Sequence, residues 1–269
     1  MPGPLPRWRA ALQRVLAWGG LALMALCFVW VQLLPMPRPV AEDGSPAAAT
    51  PDGPVNLVII DAGHGGHDSG AIRDGVLEKD LTLDVAQRLN QLLRAKGLKT
   101  MLTRAADEYV SLANRATAAN EQRDCVFVSI HFDEGNRAAA SGVNTYYASR
   151  HRGKWPLLPS WLSFVQPVSA EPTNFESQSL AGFVQQALVA RTRALDRGTR
   201  SEQFYVIANV SHPAVLVEGG FLTNDDDMRK LRTEDYRQQL AAAISDGIMR
   251  YREILREREN GMANDEPRA

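Results

Sequence analysis

From Val55 onward the chain alternates two kinds of apolar pattern, short unbroken runs and longer stretches in which apolar residues recur every three or four positions. The short runs predict buried strands at Val55 to Ile60, Leu98 to Leu102, Cys125 to Ile130, Val143 to Ala148, Phe204 to Ala208 and Ala214 to Val217. The longer stretches predict helices. Leu81, Val85, Leu89, Leu92 and Leu93 share one helical face, closed by Gly97, and Glu78 stands at or just before the start of that helix. Ser111 to Glu121 forms a second helix, and Ser177 to Arg193 a third through Leu180, Phe183, Val184 and Leu188. A last helix from Tyr236 to Glu257 buries Leu240, Ile244, Ile248, Tyr251 and Leu255. Strands alternating with helices imply one α/β domain over residues 55–257, its central sheet largely parallel or mixed and covered by helices on both faces. The charged tail, residues 258–269, is expected to be disordered.

Three stretches depart from this alternation. After a short basic segment, residues 1–14 with Arg7, Arg9 and Arg14, the run Val15 to Leu34 is apolar all round apart from Gln32. A run of about twenty such residues is long enough to span a bilayer as a helix. With the arginines on the cytoplasmic side, everything after Leu34 is extracytoplasmic. Pro35-Met36-Pro37-Arg38-Pro39 separates the apolar core from the small residues Ala47 and Ala49, so an uncleaved anchor is expected rather than a clipped and secreted chain. Residues 35–54, rich in Pro and Ala, read as a semi-extended linker. Residues 150–176 read as an insertion punctuated by Pro156, Pro159 and Pro167 and carrying Trp155, Trp161 and Phe164, either a lid, a partner or membrane surface, or aromatics packed onto the domain.

Composition narrows the function. The 269 residues carry a formal net charge of −1 with both signs interspersed, so no cationic face argues for nucleic acid. The two cysteines, Cys27 and Cys125, lie one in the apolar N-terminal run and one at the head of a strand. Neither a disulfide framework nor a cysteine-rich metal module is available, so any metal must use histidine and carboxylate ligands.

Those ligand types converge. Asp61-Ala62-Gly63-His64-Gly65-Gly66-His67-Asp68-Ser69-Gly70-Ala71 follows the first strand, and its glycines present His64 on a sharp turn, a geometry that suits a metal ligand, a phosphate loop or a plain strand exit. Two further predicted strands lead into His131 and Glu218, and in a parallel sheet the carboxyl ends of strands share one edge. Glu78, at the next helix start, joins them there. Two imidazoles and a carboxylate form a zinc set with one open position, so His64, Glu78 and His131 are the candidate Zn2+ ligands. Glu218 is then the free carboxylate that takes a proton from water and returns it to a leaving nitrogen. His67 is a rival ligand, whereas His151 and His212 read as surface or turn residues. Arg104 and Arg115 are candidates to hold a substrate carboxylate or carbonyl, with structural ion pairing as the alternative.

These motifs, in this order, resemble the zinc-dependent N-acetylmuramoyl-L-alanine amidases of the amidase-3 family. Beyond the first loop the likeness rests on Leu77-Glu78-Lys79-Asp80-Leu81-Thr82-Leu83, Thr103-Arg104 with Asp107, Leu112, Arg115 and Asn120, Ser129-Ile130-His131, Asp196-Arg197-Gly198, and Pro213 to Asn224. The resemblance implies hydrolysis of the amide joining N-acetylmuramic acid to L-alanine in peptidoglycan, in wall remodelling or daughter-cell separation. It also implies zinc on His64, Glu78 and His131, catalysis by Glu218, and no ligand role for His67. Arg104, Arg115 and Asn120 are carried as candidate substrate contacts. Where relatives carry a small residue and then Asn after the second histidine, this chain has Phe132 and Asp133. The aromatic insertion lies where some relatives carry a segment that blocks the site until an activating partner displaces it. A zinc peptidase cutting within the stem peptide and a catalytically silent wall-binding domain are the competing readings.

Overall fold

The computed structural model describes residues 54–133, 139–149 and 174–265. The predicted membrane segment 15–34, its linker and most of the 150–176 insertion lie outside the described residues. Among the described residues no helix is long and apolar enough to cross a membrane.

Six strands form the central sheet: β1 (Leu57–Ala62), β4 (Lys99–Leu102), β5 (Cys125–Asp133), β6 (Val143–Tyr147), β7 (Asp196–Ser201) and β8 (Ala214–Phe221). A separate two-stranded hairpin pairs β2 (Ile72–Arg73) with β3 (Val76–Leu77). The helices are α1 (Glu78–Ala95), α2 (Leu112–Asn120), α3 (Phe175–Thr192), α4 (Tyr205–Ala208), α5 (Asp225–Leu231) and α6 (Glu234–Asp265). The sheet order is β4-β1-β5-β8-β6-β7, with the first four strands mutually parallel and β6 turned antiparallel to β8, so the sheet is mixed.

Strand alternation divides the core into two layers. Val58 and Ile60 of β1 meet Leu81, Val85 and Leu89 of α1, Leu180 and Val184 of α3, and Leu240, Ile244 and Ile248 of α6. Ile59, one residue out of phase, joins Phe127 against Ala116 and Ala119 of α2 and Val206 and Ile207 of α4. Burying each such large aliphatic side chain contributes about 1.5–3 kcal/mol, and both layers clamp the strands that carry the site.

The structure corrects several sequence expectations. Phe204 to Ala208 is not a strand: Tyr205–Ala208 is one helical turn, and its all-buried Val206, Ile207 and Ala208 explain why a short apolar run suggested sheet. The missing strand is β7, a polar edge segment whose side chains are largely exposed and which therefore carries no apolar pattern. The β2/β3 hairpin turns at Asp74 and Gly75, both with positive φ, as an Asp-Gly pair at a hairpin tip does. Helix α3 begins at Phe175, where Asn174 accepts a hydrogen bond from the Ser177 N–H at 3.0 Å, so the insertion ends before residue 176. Helix α6 continues past Glu257 to Asp265 instead of giving way to a disordered tail there.

Candidate active site

The first loop leaves β1 into a backbone conformation that L-residues rarely adopt: His64 has φ of 59°. Two buried guanidiniums hold it there. Arg104, 1% exposed, donates to the carbonyls of Ala62 at 3.0 Å, Gly63 at 2.8 Å, Lys79 at 2.8 Å and Ala106 at 3.0 Å. Arg115 donates to the carbonyls of Ala62 at 2.5 Å, His64 at 2.6 Å and Val110 at 2.9 Å, and to Asp61 Oδ1 at 2.7 Å. Both side chains are buried and give their donors to backbone carbonyls and Asp61, the structural alternative to holding substrate. Asn120 likewise ties α2 to the turn before β8, donating to the Asn209 carbonyl at 2.7 Å and accepting from the Ser211 N–H at 2.8 Å.

Asp61, fully buried at the end of β1, anchors this arrangement. It accepts from Ser129 Oγ and Thr103 Oγ1, each at 2.6 Å, as well as from Arg115. Burial would raise its pKa, but the Arg115 charge and these three hydrogen bonds hold it below the ordinary value. The loop's outer side is braced by Lys79, whose Nζ donates to Gly66 O at 2.9 Å and Asp107 Oδ2 at 2.6 Å.

Three donor atoms meet in front of this loop. Glu78 Oε1 lies 3.1 Å from His64 Nε2 and 3.0 Å from His131 Nδ1, and the ligand atoms of all three residues fall within 4.8 Å of one another. Donors about 2.0–2.2 Å from a tetrahedral ion stand roughly 3.3–3.6 Å apart, so the cluster, with its donors within 4.8 Å of one another, needs only small side-chain adjustments to admit a metal. Glu78 is fixed from both sides: Oε2 accepts from the Ala71 N–H at 2.9 Å and Oε1 from the Phe132 N–H at 3.0 Å. Burial would raise its pKa, yet hydrogen bonds and charge from His131 and His64 hold it far below the usual carboxylate range.

The glycines make room. A Cβ on Gly63 would sit 2.4 Å from His131 Cε1, and one on Gly70, whose φ is +62°, would sit 2.5 Å from Glu78 Oε2. Behind the first histidine, Asp68 Oδ1 lies 3.0 Å from His64 Nδ1, an ion-pair distance not aligned as a hydrogen bond. Burial lowers the His64 pKa, but Glu78 and Asp68 together raise it above the ordinary value. The sequence reading missed Asp68, although its spacing of four from His64 was the available signal. His67 is exposed and its ring stacks on Tyr109 at 4.1 Å, outside the cluster.

Glu218 lies within β8 rather than at its end, as His131 lies within β5, and the two are register partners. In-register side chains project to the same face, so the carboxyl stands beside the second histidine. Burial pushes it well above the usual carboxylate range, reinforced by the charges of Glu78 and Asp133. Phe132 turns the other way. Its side chain is 1% exposed in the core, where a Cβ on Gly219 would be 2.7 Å from Cε1. The departure at Phe132 is thus accommodated by packing, while Asp133 adds negative charge near Glu218.

A buried carboxyl with a raised pKa beside a cluster of two histidines and one carboxylate is a donor set suited to metal-assisted hydrolysis. A family model described as N-acetylmuramoyl-L-alanine amidase matches residues 58–250. The amidase AmiA of Escherichia coli strain K12 is 30% identical over 227 residues, covering 76% of this chain and 78% of that protein. The crystal structure of an N-acetylmuramoyl-L-alanine amidase from Clostridium difficile 630 is 33% identical with a TM-score of 0.62, over 74% of this chain and 97% of that one. The CwlD amidase of Clostridioides difficile, solved in complex with the GerS lipoprotein, is 25% identical with a TM-score of 0.62, over 74% and 99%.

Proposed function

The chain belongs to the N-acetylmuramoyl-L-alanine amidase family, and from that premise we propose how its residues divide the work. The enzyme acts on peptidoglycan, hydrolysing the amide between N-acetylmuramic acid and L-alanine. His64, Glu78 and His131 would hold the metal, and zinc is the ion that this mixed nitrogen and oxygen set suits best, since magnesium and calcium prefer oxygen shells. Bound there, zinc supplies Lewis-acid polarisation of the scissile carbonyl and acidifies water.

The remaining chemistry falls to Glu218. It takes a proton from the attacking water and delivers it to the departing alanine nitrogen, so the C–N bond breaks to leave a carboxylate on the lactyl group and a free amine. The register pairing of His131 with Glu218 is the observation that carries this reading. Arg104 and Arg115 act by fixing the carbonyls around His64, which keeps the ligand in place without touching substrate.

The apolar run 15–34 supports a single-pass anchor in the cytoplasmic membrane, with the catalytic domain on the extracytoplasmic side where its substrate lies. Retention in the membrane pellet after alkaline extraction tests this, and release into the soluble fraction contradicts it. The aromatic insertion 150–176 is assigned a regulatory role, displaced by a partner protein, on the strength of its sequence; the related CwlD amidase is solved in complex with a lipoprotein. Deleting it should raise hydrolysis of purified cell wall, and unchanged or lower activity counts against gating.

The reaction itself is tested by mass spectrometry of products from purified peptidoglycan. Intact stem peptides with free L-alanine amines, beside lactyl-bearing glycan, are expected. Shortened peptides still joined to muramic acid would favour the peptidase reading instead.

A further inference from the structure

Three polar side chains stand in a row across three adjacent strands. His131 of β5 is in register with Glu218 of β8, and Glu218 is in register with Asn144 of β6. Directly opposed residues in an antiparallel pair have Cβ atoms about 4.5–5.5 Å apart on the same face. Asn144 therefore flanks Glu218 on the side away from the metal cluster. It is 1% exposed, and neither Oδ1 nor Nδ2 makes a hydrogen bond; the Glu218 Oε2 beside it is buried and unpaired as well. Buried polar atoms without partners are uncommon, and three on two facing residues are explained together if they serve one another.

We propose that Asn144 is the positioning residue for Glu218: in the working enzyme its amide, unpaired in this structure, turns to donate from Nδ2–H to Oε2, which directs the other carboxylate oxygen toward the reacting water and amide. The inference rests on the reading of Glu218 as proton carrier. Asn144 does not reach substrate, because it lies behind Glu218 and is closed off from solvent. Among the described residues, the Tyr146 phenol, two residues on along the same face, competes for the amide. Burial raises the Tyr146 pKa and the Asn144 amide lowers it, so the two groups are close enough to interact.

The test uses the metal-loaded enzyme on a soluble muramyl-peptide, with kcat, KM and bound metal measured together. Asn144→Leu, similar in size but without donor or acceptor, should lower kcat about 10- to 100-fold with KM within about twofold and metal content unchanged. Asn144→Ser, which restores a hydroxyl donor, should recover at least about fivefold of that loss. Asn144→Asp keeps the shape but replaces the donor with a second carboxylate, and should be at least as impaired as the leucine variant. An unchanged kcat in the leucine variant overturns the proposal, as does a rise in KM with kcat retained. Equal loss in Tyr146→Phe would overturn it too, by showing that the amide serves the phenol. Full turnover in Glu218→Gln would overturn the underlying role of Glu218. A dead Glu218→Gln beside a fully active Asn144→Leu would overturn the positioning role alone.

Discussion

Asp68 Oδ1 lies 3.0 Å from His64 Nδ1, on the opposite side of the ring from the nitrogen that faces Glu78. A carboxylate behind an imidazole that ligates a metal steadies its charge and aim, so in the proposed metal site Asp68 supports Nε2 as a ligand. Asp68→Ala should weaken metal affinity roughly 10- to 100-fold, measured by competition with a coloured chelator, while the fold persists. Affinity equal to that of the unaltered protein would show that the loop alone orients His64.

Asp61 and Arg115 form an ion pair 2.7 Å long with side chains 1% and 3% exposed. Removing one member of a buried pair strands the other, at a cost of about 3–5 kcal/mol. Asp61→Asn should therefore unfold at lower denaturant at neutral pH. The pH dependence follows from the depressed Asp61 pKa. Its stabilisation is present above the ordinary value of 3.8 and is lost as pH falls from there through the folded-state pKa, because the unfolded chain takes up the proton first. The stability gap between the variant and the parent should narrow in acid, and a gap that widens there would contradict the assignment.

Gly219 and Phe132 form a matched pair. Gly219→Ala places a methyl group 2.7 Å from the Phe132 ring and should cost about 1–3 kcal/mol. In a Phe132→Ala background, where the ring is gone, the same substitution should cost much less. Thermal or urea denaturation of the four proteins checks this, and additive losses would refute the packing relationship.

The parts of the fold legible in the sequence were those with apolar periodicity. Strands β1, β5 and β8 and helices α1, α3 and α6 bury continuous faces and so announce themselves. Strand β7 is polar because it is an exposed edge, and α4 mimics a strand because every side chain of Val206 to Ala208 is enclosed. The cluster of His64, Glu78 and His131 was legible because the loop after β1, the start of α1 and the distal part of β5 share one edge of the sheet. Arg104 and Arg115 were not assignable, since only their burial distinguishes a guanidinium that grips backbone carbonyls from one that grips substrate. Asn144 carried no signal at all until the antiparallel pairing of β6 with β8 set it opposite Glu218.

The account stands on a division between residues that hold the metal and one that moves the proton. Metal stoichiometry and turnover of Glu218→Gln, measured on the same preparation, test it most directly. The predicted result is one bound zinc per chain, as in the parent, with kcat lowered about 100- to 10,000-fold. Loss of the metal would make Glu218 a ligand, and retained turnover would remove it from the chemistry; either contradicts the account.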